Sequence, residues 1–493
     1  MLRIVAGGGG RAGVCQAARV DAVNLEGAGV TVDDVVAVAR EHAPVQLAGA
    51  ARTLLERDRQ ALDRLAARGE AVYGLTRALG AKSGVTVPGD DLAAFQVRVV
   101  RGRQAAVGPP LRDEIVRATL FARAAALAAG GSGISPHVLD ALLELLAVAE
   151  IPRVPSIGSV GASDLVVLAH AVAPLLDGVA LAPKDGLTLI SANSLSIGWG
   201  ALAIADGERL LAAASAAAAL SMEGFGATLD PLDERAQRAR PLPGQAEEAA
   251  RLRGLLRGSP LEAGAARNLQ DPLSLRCVVP VHAVARTSLA NARAIVQIEL
   301  NAAADNPLVV AADGVAIGTA NFHAGALALA FDSLAIALHG LASLAAARVA
   351  RLLDERSSGL PRGLSPRGAD RAGLVALQKP LAALVARVRA LATPASLDVI
   401  AISEGVEDHA SHAPLAVEQA HEAIALCRLA VAIELVVAAQ AVDLRGASGL
   451  GAGTARVHAE VRSLVPALDD DRACGPDVDA VAAALADGSL GVA

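Results

Sequence analysis

Apolar residues recur with a helical period along most of the chain, and capping signals mark where helices begin. The segment 31–41 opens on a threonine, a residue type that caps helices, and places two aspartates in the first turn ahead of apolar residues. A second helical segment spans 50–68, and the glycine-rich stretch 74–91 has the mixed polarity of a loop. The pattern therefore predicts a helical N-terminal region interrupted by one long loop.

Alanine and leucine dominate from Arg112 onward, where the helical period continues with few interruptions. Breaks rich in glycine and proline fall at 130–136, 151–161, 241–260 and 357–368. Long apolar helices are predicted at 281–304, 321–354, 372–391 and 408–445. Helices that are both long and apolar are usually buried inside a bundle or between subunits. We therefore expect a mostly helical protein.

The composition supports this picture and argues against one class of function. Hydrophobic residues make up 53% of the 493 residues but aromatic residues only 1%, so a core must consist of alanine, leucine and valine. Such a core suits close-packed helices better than sheets. The net charge of -7 does not fit a nucleic-acid-binding protein, which needs a concentrated basic face.

Cysteine spacing and hydropathy indicate the compartment. Cys15, Cys277, Cys427 and Cys474 are too dispersed for a zinc site and fit a reducing cytosol. No apolar run reaches the length of a membrane span before a charge, histidine or proline interrupts it, and the N-terminus lacks a signal-peptide pattern. We therefore expect a cytoplasmic protein without a membrane partner.

Two local patterns suggest cofactors that the rest of the chain does not support. The stretch Gly8–Gly13 fits G-x-G-x-x-G, but the chain offers few strands for a dinucleotide-binding fold, so we interpret residues 1–22 as a flexible leader. The stretch Glu407–His412 gathers two carboxylates and two histidines, yet it is not H-E-x-x-H, and histidines three residues apart usually just share a helix face. We expect no nucleotide and no metal.

The most specific pattern lies at residues 158–165, which read Gly-Ser-Val-Gly-Ala-Ser-Asp-Leu. It resembles the Gly-Ser-Val-Gly-Ala-Ser-Gly-Asp-Leu signature of the aromatic amino acid ammonia-lyases, a family of histidine, phenylalanine and tyrosine lyases and related aminomutases. The other matching blocks follow in family order: Val30–Val36, Ala71–Gly74, Gln270–Cys277, Asp305–Leu308, Gly318–Ala324, Glu407–His409 and Ala439–Arg445. Any single block is weak, but the ordered set covers the chain from about residue 23 to 446.

The resemblance implies a fold and an assembly. The fold is all-α, with a smaller N-terminal region (23–110) that carries the tyrosine loop and a bundle of long near-parallel helices (111–493). The family assembles as homotetramers whose active sites draw residues from several subunits. The implied partner is a small, amino-acid-like substrate.

The resemblance also assigns roles to single residues. Tyr73, the only tyrosine, is implied as the base that removes the β-proton, a task that needs a phenolate stabilised by nearby positive charge. Arg276 is implied to bind the substrate carboxylate, which suits a planar two-pronged donor. Gln270 and Phe322 fall where the family lines its pocket, although core packing is an alternative for Phe322. Glu407 stands where histidine-type lyases carry a glutamate, and would receive the substrate ammonium or orient a polar side chain.

Several positions depart from the family pattern around the same pocket. Arg103 stands where the family places a histidine, leucine or phenylalanine that selects the substrate ring, which favours a polar or anionic side chain on the substrate. Leu273 replaces a second tyrosine. The family's Asn-Gly-Thr block reads Ser191-Ala192-Asn193, so the asparagine that holds the cofactor is missing unless Asn193 replaces it.

The cofactor-forming tripeptide is itself altered. In the family, Ala-Ser-Gly cyclises into a methylidene-imidazolone ring when the nitrogen of the third residue attacks the carbonyl of the first, and glycine permits this tight turn because it lacks a Cβ. Here the residues are Ala162, Ser163 and Asp164, the loop is one residue shorter, and Asp164 is also a natural N-cap for a helix beginning at Leu165. We therefore expect the ring to be absent.

Three functions stay open at this point. The protein is a lyase or aminomutase that forms the ring despite the strain, or it eliminates a better leaving group, such as a quaternary ammonium, without the ring. Alternatively, it is an inactive scaffold or regulatory relative. Because Tyr73, Gln270, Arg276 and Glu407 are retained together, we predict a carbon–nitrogen lyase acting on an amino acid or a close derivative.

Overall fold

The computed structural model describes residues 21–368, 370–397, 401–446 and 449–491. Almost all of the predicted leader, including Gly8–Gly13, lies outside these residues and stays a prediction.

Helices account for most of the described residues. They are α1 (Val32–Arg40), α2 (Gly49–Ala67), α3 (Leu92–Arg101), α4 (Asp113–Ala128), α5 (Pro136–Ala147), α6 (Leu165–Ala171), α7 (Asp185–Ile190), α8 (Ser194–Phe225), α9 (Glu234–Ala239), α10 (Gln245–Leu255), α11 (Leu273–Arg276), α12 (Val278–Leu300), α13 (Gly325–Leu353), α14 (Glu355–Ser358), α15 (Gln378–Leu391), α16 (Ala413–Arg445), α17 (Ala452–Leu464) and α18 (Gly475–Asp487). The strands are β1 (Val23–Leu25), β2 (Val45–Leu47), β3 (Val107–Pro110), β4 (Pro155–Ile157), β5 (Leu308–Val310) and β6 (Val315–Ile317).

The strands form only two-stranded pairs within the described residues. β1 runs parallel to β2, while β3 with β4 and β5 with β6 are antiparallel. None of these pairs is large enough to support a sheet layer, so the core is made by helices. The prediction of an all-α fold is confirmed.

The centre of the molecule is a bundle in which α8 packs against α16 and α4, and α13 packs against α16 and α12. Small residues allow the close approach. A Cβ at Gly198 of α8 would lie 2.4 Å from the carbonyl oxygen of Ala118 in α4, so the two backbones touch there. The alanine- and leucine-rich composition therefore gives close-packed helices, as predicted.

A buried ion pair joins three of these helices. The Arg348 guanidinium on α13 donates to both oxygens of Glu434 on α16, at 2.6 and 2.9 Å, and the Ser221 hydroxyl on α8 donates to Glu434 at 2.7 Å. All three side chains are buried. Because each charge has a partner, breaking this cluster by removing one member would leave an uncompensated buried charge.

The local predictions agree with the structure in most places. Thr31 caps α1, and its hydroxyl and the Asp34 carboxylate form the reciprocal capping box. The predicted break at 241–260 is wrong in part, because α10 occupies its middle; the apolar side chains of Ala249 and Leu252 are buried there, which outweighs the flanking glycines. One hydrophobic core cluster extends from Leu25 to Leu490 across the predicted boundary at residue 110, so that boundary stays a prediction.

Two helical stretches are long and apolar enough to cross a membrane by length and composition alone, Asp185–Phe225 and Gly325–Leu353. The most apolar window of the first is entirely buried inside the protein and that of the second is 61% buried. Core helices of a bundle have the same properties, so these stretches are weak evidence for a membrane span.

Candidate active site

The signature loop connects β4 to α6 and is held by the segment that precedes α16. The His412 N–H donates to the Val160 carbonyl at 2.8 Å, and the Ser411 hydroxyl donates to the Gly161 carbonyl at 2.9 Å. Gly161 has φ +79°, and a Cβ there would lie 2.3 Å from the Ser411 oxygen. Only glycine fits this turn, which explains its place in the signature.

Asn193 ties the middle of the tripeptide to a second loop. The Ser163 N–H donates to the Asn193 Oδ1 at 3.1 Å, and the Asn193 Nδ2 donates to the Phe322 carbonyl at 2.8 Å. Ser191, by contrast, is buried at the end of α7, and no hydrogen bond of its hydroxyl is found among the described residues. The sequence left open whether Asn193 replaces the missing family asparagine, and the structure shows that Asn193 does hold the tripeptide. Phe322 takes part through its backbone carbonyl.

Backbone conformation sets the tripeptide apart from its surroundings. Ser163 has φ +62°, a left-handed conformation that non-glycine residues rarely adopt. Ala162, the residue before Ser163, is fixed by an isolated antiparallel bridge to His323. Such strained positions persist only where the surrounding structure holds them, and they concentrate at functional sites.

Asp164 is completely buried, and its backbone and side chain are both engaged. Its N–H donates to the Ala192 carbonyl at 2.7 Å. One carboxylate oxygen accepts from the Ser159 hydroxyl at 2.5 Å, and the other accepts from the Ser196 N–H at 3.1 Å and from the Ser196 hydroxyl at 3.3 Å. The prediction that the Asp164 side chain caps α6 is wrong. It caps α8 instead, because the first turn of α8 presents its free N–H groups to the carboxylate.

Burial dominates the protonation of this carboxyl group. It raises the pKa of Asp164 to about 6, against the hydrogen bonds from Ser159 and Ser196, which lower it. The Asp164 carboxyl group therefore titrates only about one pH unit below neutrality, which is unusual for an aspartate.

The residues present do not fit the family's ring. Ring closure requires the nitrogen of the third residue to reach the carbonyl carbon of Ala162, but the Asp164 N–H points to the Ala192 carbonyl. The Asp164 side chain, which glycine would lack, is fixed at the start of α8 by the hydrogen bonds from Ser196. Closing the ring would therefore require breaking both sets of contacts.

A second group of predicted residues gathers around Arg103, just after α3. Burial lowers the pKa of the Arg103 guanidinium, and the negative charges that Tyr73 and Glu407 can carry oppose this shift, so the three groups lie within electrostatic reach of one another. The Tyr73 hydroxyl accepts a hydrogen bond from the Gly80 N–H at 2.9 Å. A positive charge and an N–H donor are therefore within reach of the tyrosine hydroxyl that the resemblance implies as the base.

The segment 401–412 joins this charged group to the signature loop. Glu407 pairs with Ile402 as an isolated bridge, and the ring of His409, two residues on, stacks on that of His323 with centroids 5.0 Å apart. His323 in turn is the bridge partner of Ala162. The stacking of His323 on His409 could not be predicted from the sequence, because no sequence pattern relates residues that lie so far apart in the chain.

The third group of predicted residues lies apart from the first two. Arg276 donates to the Gln270 side chain at 3.1 Å, and both line a cavity of about 350 Å³ together with Leu273, which is 65% exposed. No hydrogen bond or ion pair among the described residues joins these three side chains to Tyr73 or to the tripeptide. Within the part of the chain that the structure describes, no cluster of three or more histidine, cysteine or acidic side chains could hold a metal ion.

Comparison with known proteins gives consistent similarities over most of the chain. A family model described as aromatic amino acid lyase matches residues 30–179 and 175–463. The chain is 38% identical over 501 residues to a histidine ammonia-lyase from Anaeromyxobacter sp. (strain K), in a match that covers 94% of this chain and 99% of the relative.

Solved structures with the same fold include enzymes of different activity. The ergothioneine-degrading enzyme ergothionase from Treponema denticola is similar with a TM-score of 0.90 at 29% identity, covering 95% of this chain and 99% of that one. A tyrosine aminomutase from Streptomyces globisporus is similar with a TM-score of 0.88 at 29% identity, covering 95% and 97%.

Proposed function

The chain belongs to the aromatic amino acid lyase family, and from this membership we propose that it eliminates an amine from an amino acid, or an amino-acid derivative, with a polar or anionic side chain. The observation that carries the proposal is the group formed by Tyr73, Arg103 and Glu407. It supplies a candidate base, a positive charge near it, and a carboxylate, next to the segment that holds the signature loop.

The chemistry of the elimination follows from these groups. The Tyr73 phenolate takes the β-proton of the substrate, the electrons of that carbon–hydrogen bond form the new double bond, and the carbon–nitrogen bond breaks as the amine leaves with its electron pair. Arg276 anchors the substrate carboxylate and Gln270 lines the pocket beside it. Glu407 receives the substrate ammonium or orients its polar side chain.

We further propose that this elimination proceeds without the methylidene-imidazolone ring. The support is the engagement of Asp164, whose N–H and carboxylate both bond to residues outside the tripeptide. The family's ring supplies an electrophile that activates a poor amine leaving group. A substrate whose nitrogen is already a good leaving group, such as a quaternary ammonium, removes that need.

Similarity to an ergothioneine-degrading enzyme favours the elimination without the ring over the elimination that uses the family's ring. Similarity to a tyrosine aminomutase keeps a second candidate in view, in which the amine returns to the neighbouring carbon instead of leaving. The joint retention of Tyr73, Gln270, Arg276 and Glu407 argues against an inactive scaffold.

The assembly and the compartment are part of the same proposal. Gln270, Leu273 and Arg276 form a surface group away from Tyr73, so we propose that a homotetramer brings the Arg276 group of one subunit to the Tyr73 group of another. Leu273, the replacement of the second family tyrosine, would then face the substrate of a neighbouring subunit. The compartment we propose is the cytoplasm.

The direct test is an assay of amine release and of the unsaturated acid that elimination leaves behind. Purified protein is incubated with L-histidine, with L-glutamate, and with the trimethylammonium derivative of L-histidine. The proposal expects release of trimethylamine to be faster than release of ammonia from either amino acid. Absence of any amine release, under conditions in which the protein is folded, would contradict it.

A further inference from the structure

A second cavity, of about 690 Å³, lies between α1, α4, α8, α16 and α18. Its lining includes none of the residues of the signature loop or of the Tyr73 group. It contains Trp199, which is the only tryptophan in the chain. The proposed elimination makes no use of this cavity.

The floor of the cavity is a chain of hydrogen bonds. The Trp199 indole N–H donates to the His421 Nδ1 at 2.8 Å, and the His421 Nε2 lies 2.8 Å from the Asp206 carboxylate. The Arg40 guanidinium donates two further bonds of 2.9 Å to the same carboxylate. Arg209 donates a further bond of 2.6 Å to Asp206. Because its Nδ1 accepts from the indole, His421 carries its proton on Nε2.

One cation that faces the cavity is left without a partner. Arg428 on α16 makes no ion pair or side-chain hydrogen bond among the described residues. Burial lowers the pKa of the Arg428 guanidinium; the Asp206 charge opposes that shift and the positive charges of Arg209, Arg40 and Arg112 add to it. A half-buried guanidinium that faces like charges gains most from an anion in the cavity.

Two carboxylates one helical turn apart are placed to bind a positive charge in the same cavity. Glu418 and Glu422 lie on the same face of α16, line the cavity, and make no ion pair within the described residues. Burial raises the pKa of Glu418, and the charge of Glu422 raises it further. Like charges four residues apart on a helix repel one another, so a cation between them is stabilised.

We propose that this cavity is a binding site for a small zwitterion of the amino-acid type. The ligand carboxylate pairs with Arg428, its ammonium pairs with Glu418 and Glu422, and its side chain packs beside the indole of Trp199. Glu422 and Arg428 line the same cavity and are separated by six residues, or about 9 Å of helix rise, so the two charges of the ligand can meet different side chains. A simple anion would satisfy Arg428 but leave the glutamate pair uncompensated.

Trp199 makes the proposal measurable, because every change in tryptophan fluorescence reports from this cavity. The full-length protein is titrated with L-leucine and L-histidine at pH 8, and with two analogues of leucine that each lack one charge, 4-methylpentanoate and 3-methylbutylamine. The proposal expects a saturable change with at least one of the amino acids, and binding at least roughly tenfold weaker for both analogues. A saturable change with 4-methylpentanoate of equal affinity would show that the site takes plain anions, and no saturable change with either amino acid would also overturn the proposal.

Three variants separate this site from the proposed active site. Arg428→Gln and Glu422→Gln should each weaken the fluorescence response roughly tenfold or more, because each removes one of the two charges that bind the ligand. Arg389→Gln, on the exposed face of α15, is the matched control and should leave the response unchanged. Tyr73→Phe should also leave it unchanged, so a failure of the proposed elimination and a failure of this binding site give different results.

Discussion

The backbone N–H of Asp164 donates a hydrogen bond of 2.7 Å to the carbonyl oxygen of Ala192. In a chain whose signature has lost one glycine, this bond directs the third residue of the tripeptide away from Ala162. The carboxylate of the same residue completes the first turn of α8 through Ser196. The altered signature therefore retains a structural task in this protein, which is to fix the start of α8.

Asp164→Asn should change how stability depends on pH. The folded carboxyl group has a pKa of about 6 against 3.8 in the unfolded chain, so the folded state binds the proton more tightly. Its contribution to stability is therefore fully present below about pH 4 and is lost as the pH rises to about 6, by up to about 3 kcal/mol. Denaturant unfolding across this range should show that loss in the wild type and not in Asp164→Asn. The exposed Asp313→Asn is the matched control and should keep the wild-type profile; an Asp164→Asn profile parallel to the wild type would contradict the assignment.

Asn193→Ala should destabilise the protein by about 1–3 kcal/mol, because it removes two buried hydrogen bonds and leaves the Ser163 N–H and the Phe322 carbonyl only their long bond of 3.4 Å to each other. The free energy of unfolding, measured by denaturant titration, checks this. Asn291→Ala, at an exposed position of α12, should stay within about 0.5 kcal/mol of the wild type. Equal effects of the two substitutions would mean that Asn193 does not hold the tripeptide.

Tyr73→Phe should lower kcat for amine release by about 10²–10⁴-fold while KM changes little, because it removes the base and keeps the ring in place. Thr86→Val removes a hydroxyl from the same loop without touching the tyrosine and should retain activity. If Tyr73→Phe kept wild-type kcat, the elimination as proposed would fail.

Arg103→Leu should shift substrate preference towards apolar side chains, with the ratio of kcat/KM for anionic over apolar substrates falling roughly tenfold or more. The structure adds a second effect, since Arg103 also lies near Tyr73 and Glu407, so kcat should fall for every substrate. The exposed Arg101→Leu, two residues before it, serves as control. An unchanged ratio would remove Arg103 from the residues that select the substrate.

Much of the fold and part of the site could be predicted from the sequence. Helical periodicity located α12, α13 and α16 to within a few residues, because their apolar content leaves no other stable arrangement. The resemblance located Tyr73, Arg103 and Glu407, and the structure brings these three together.

What could not be predicted depends on contacts between distant segments. The Asp164 carboxylate was expected to cap the helix that follows it, and only the position of α8 beside it shows that Ser196 is the better partner. The cavity beside Trp199 was equally out of reach, because Asp206 and His421 lie on different helices and neither belongs to a motif. Sequence patterns report local geometry, whereas these contacts are set by packing.

The central claim is that this lyase works without the methylidene-imidazolone ring, and the intact mass of the purified protein tests it most directly. Ring formation removes two water molecules from the tripeptide, and Ser163→Ala, which cannot lose the serine hydroxyl, provides the reference. We predict that the wild type has the full mass encoded by its sequence and differs from Ser163→Ala by the one substituted oxygen alone. A wild-type mass two water molecules below the encoded value, with Ser163→Ala at its encoded value, would contradict the account.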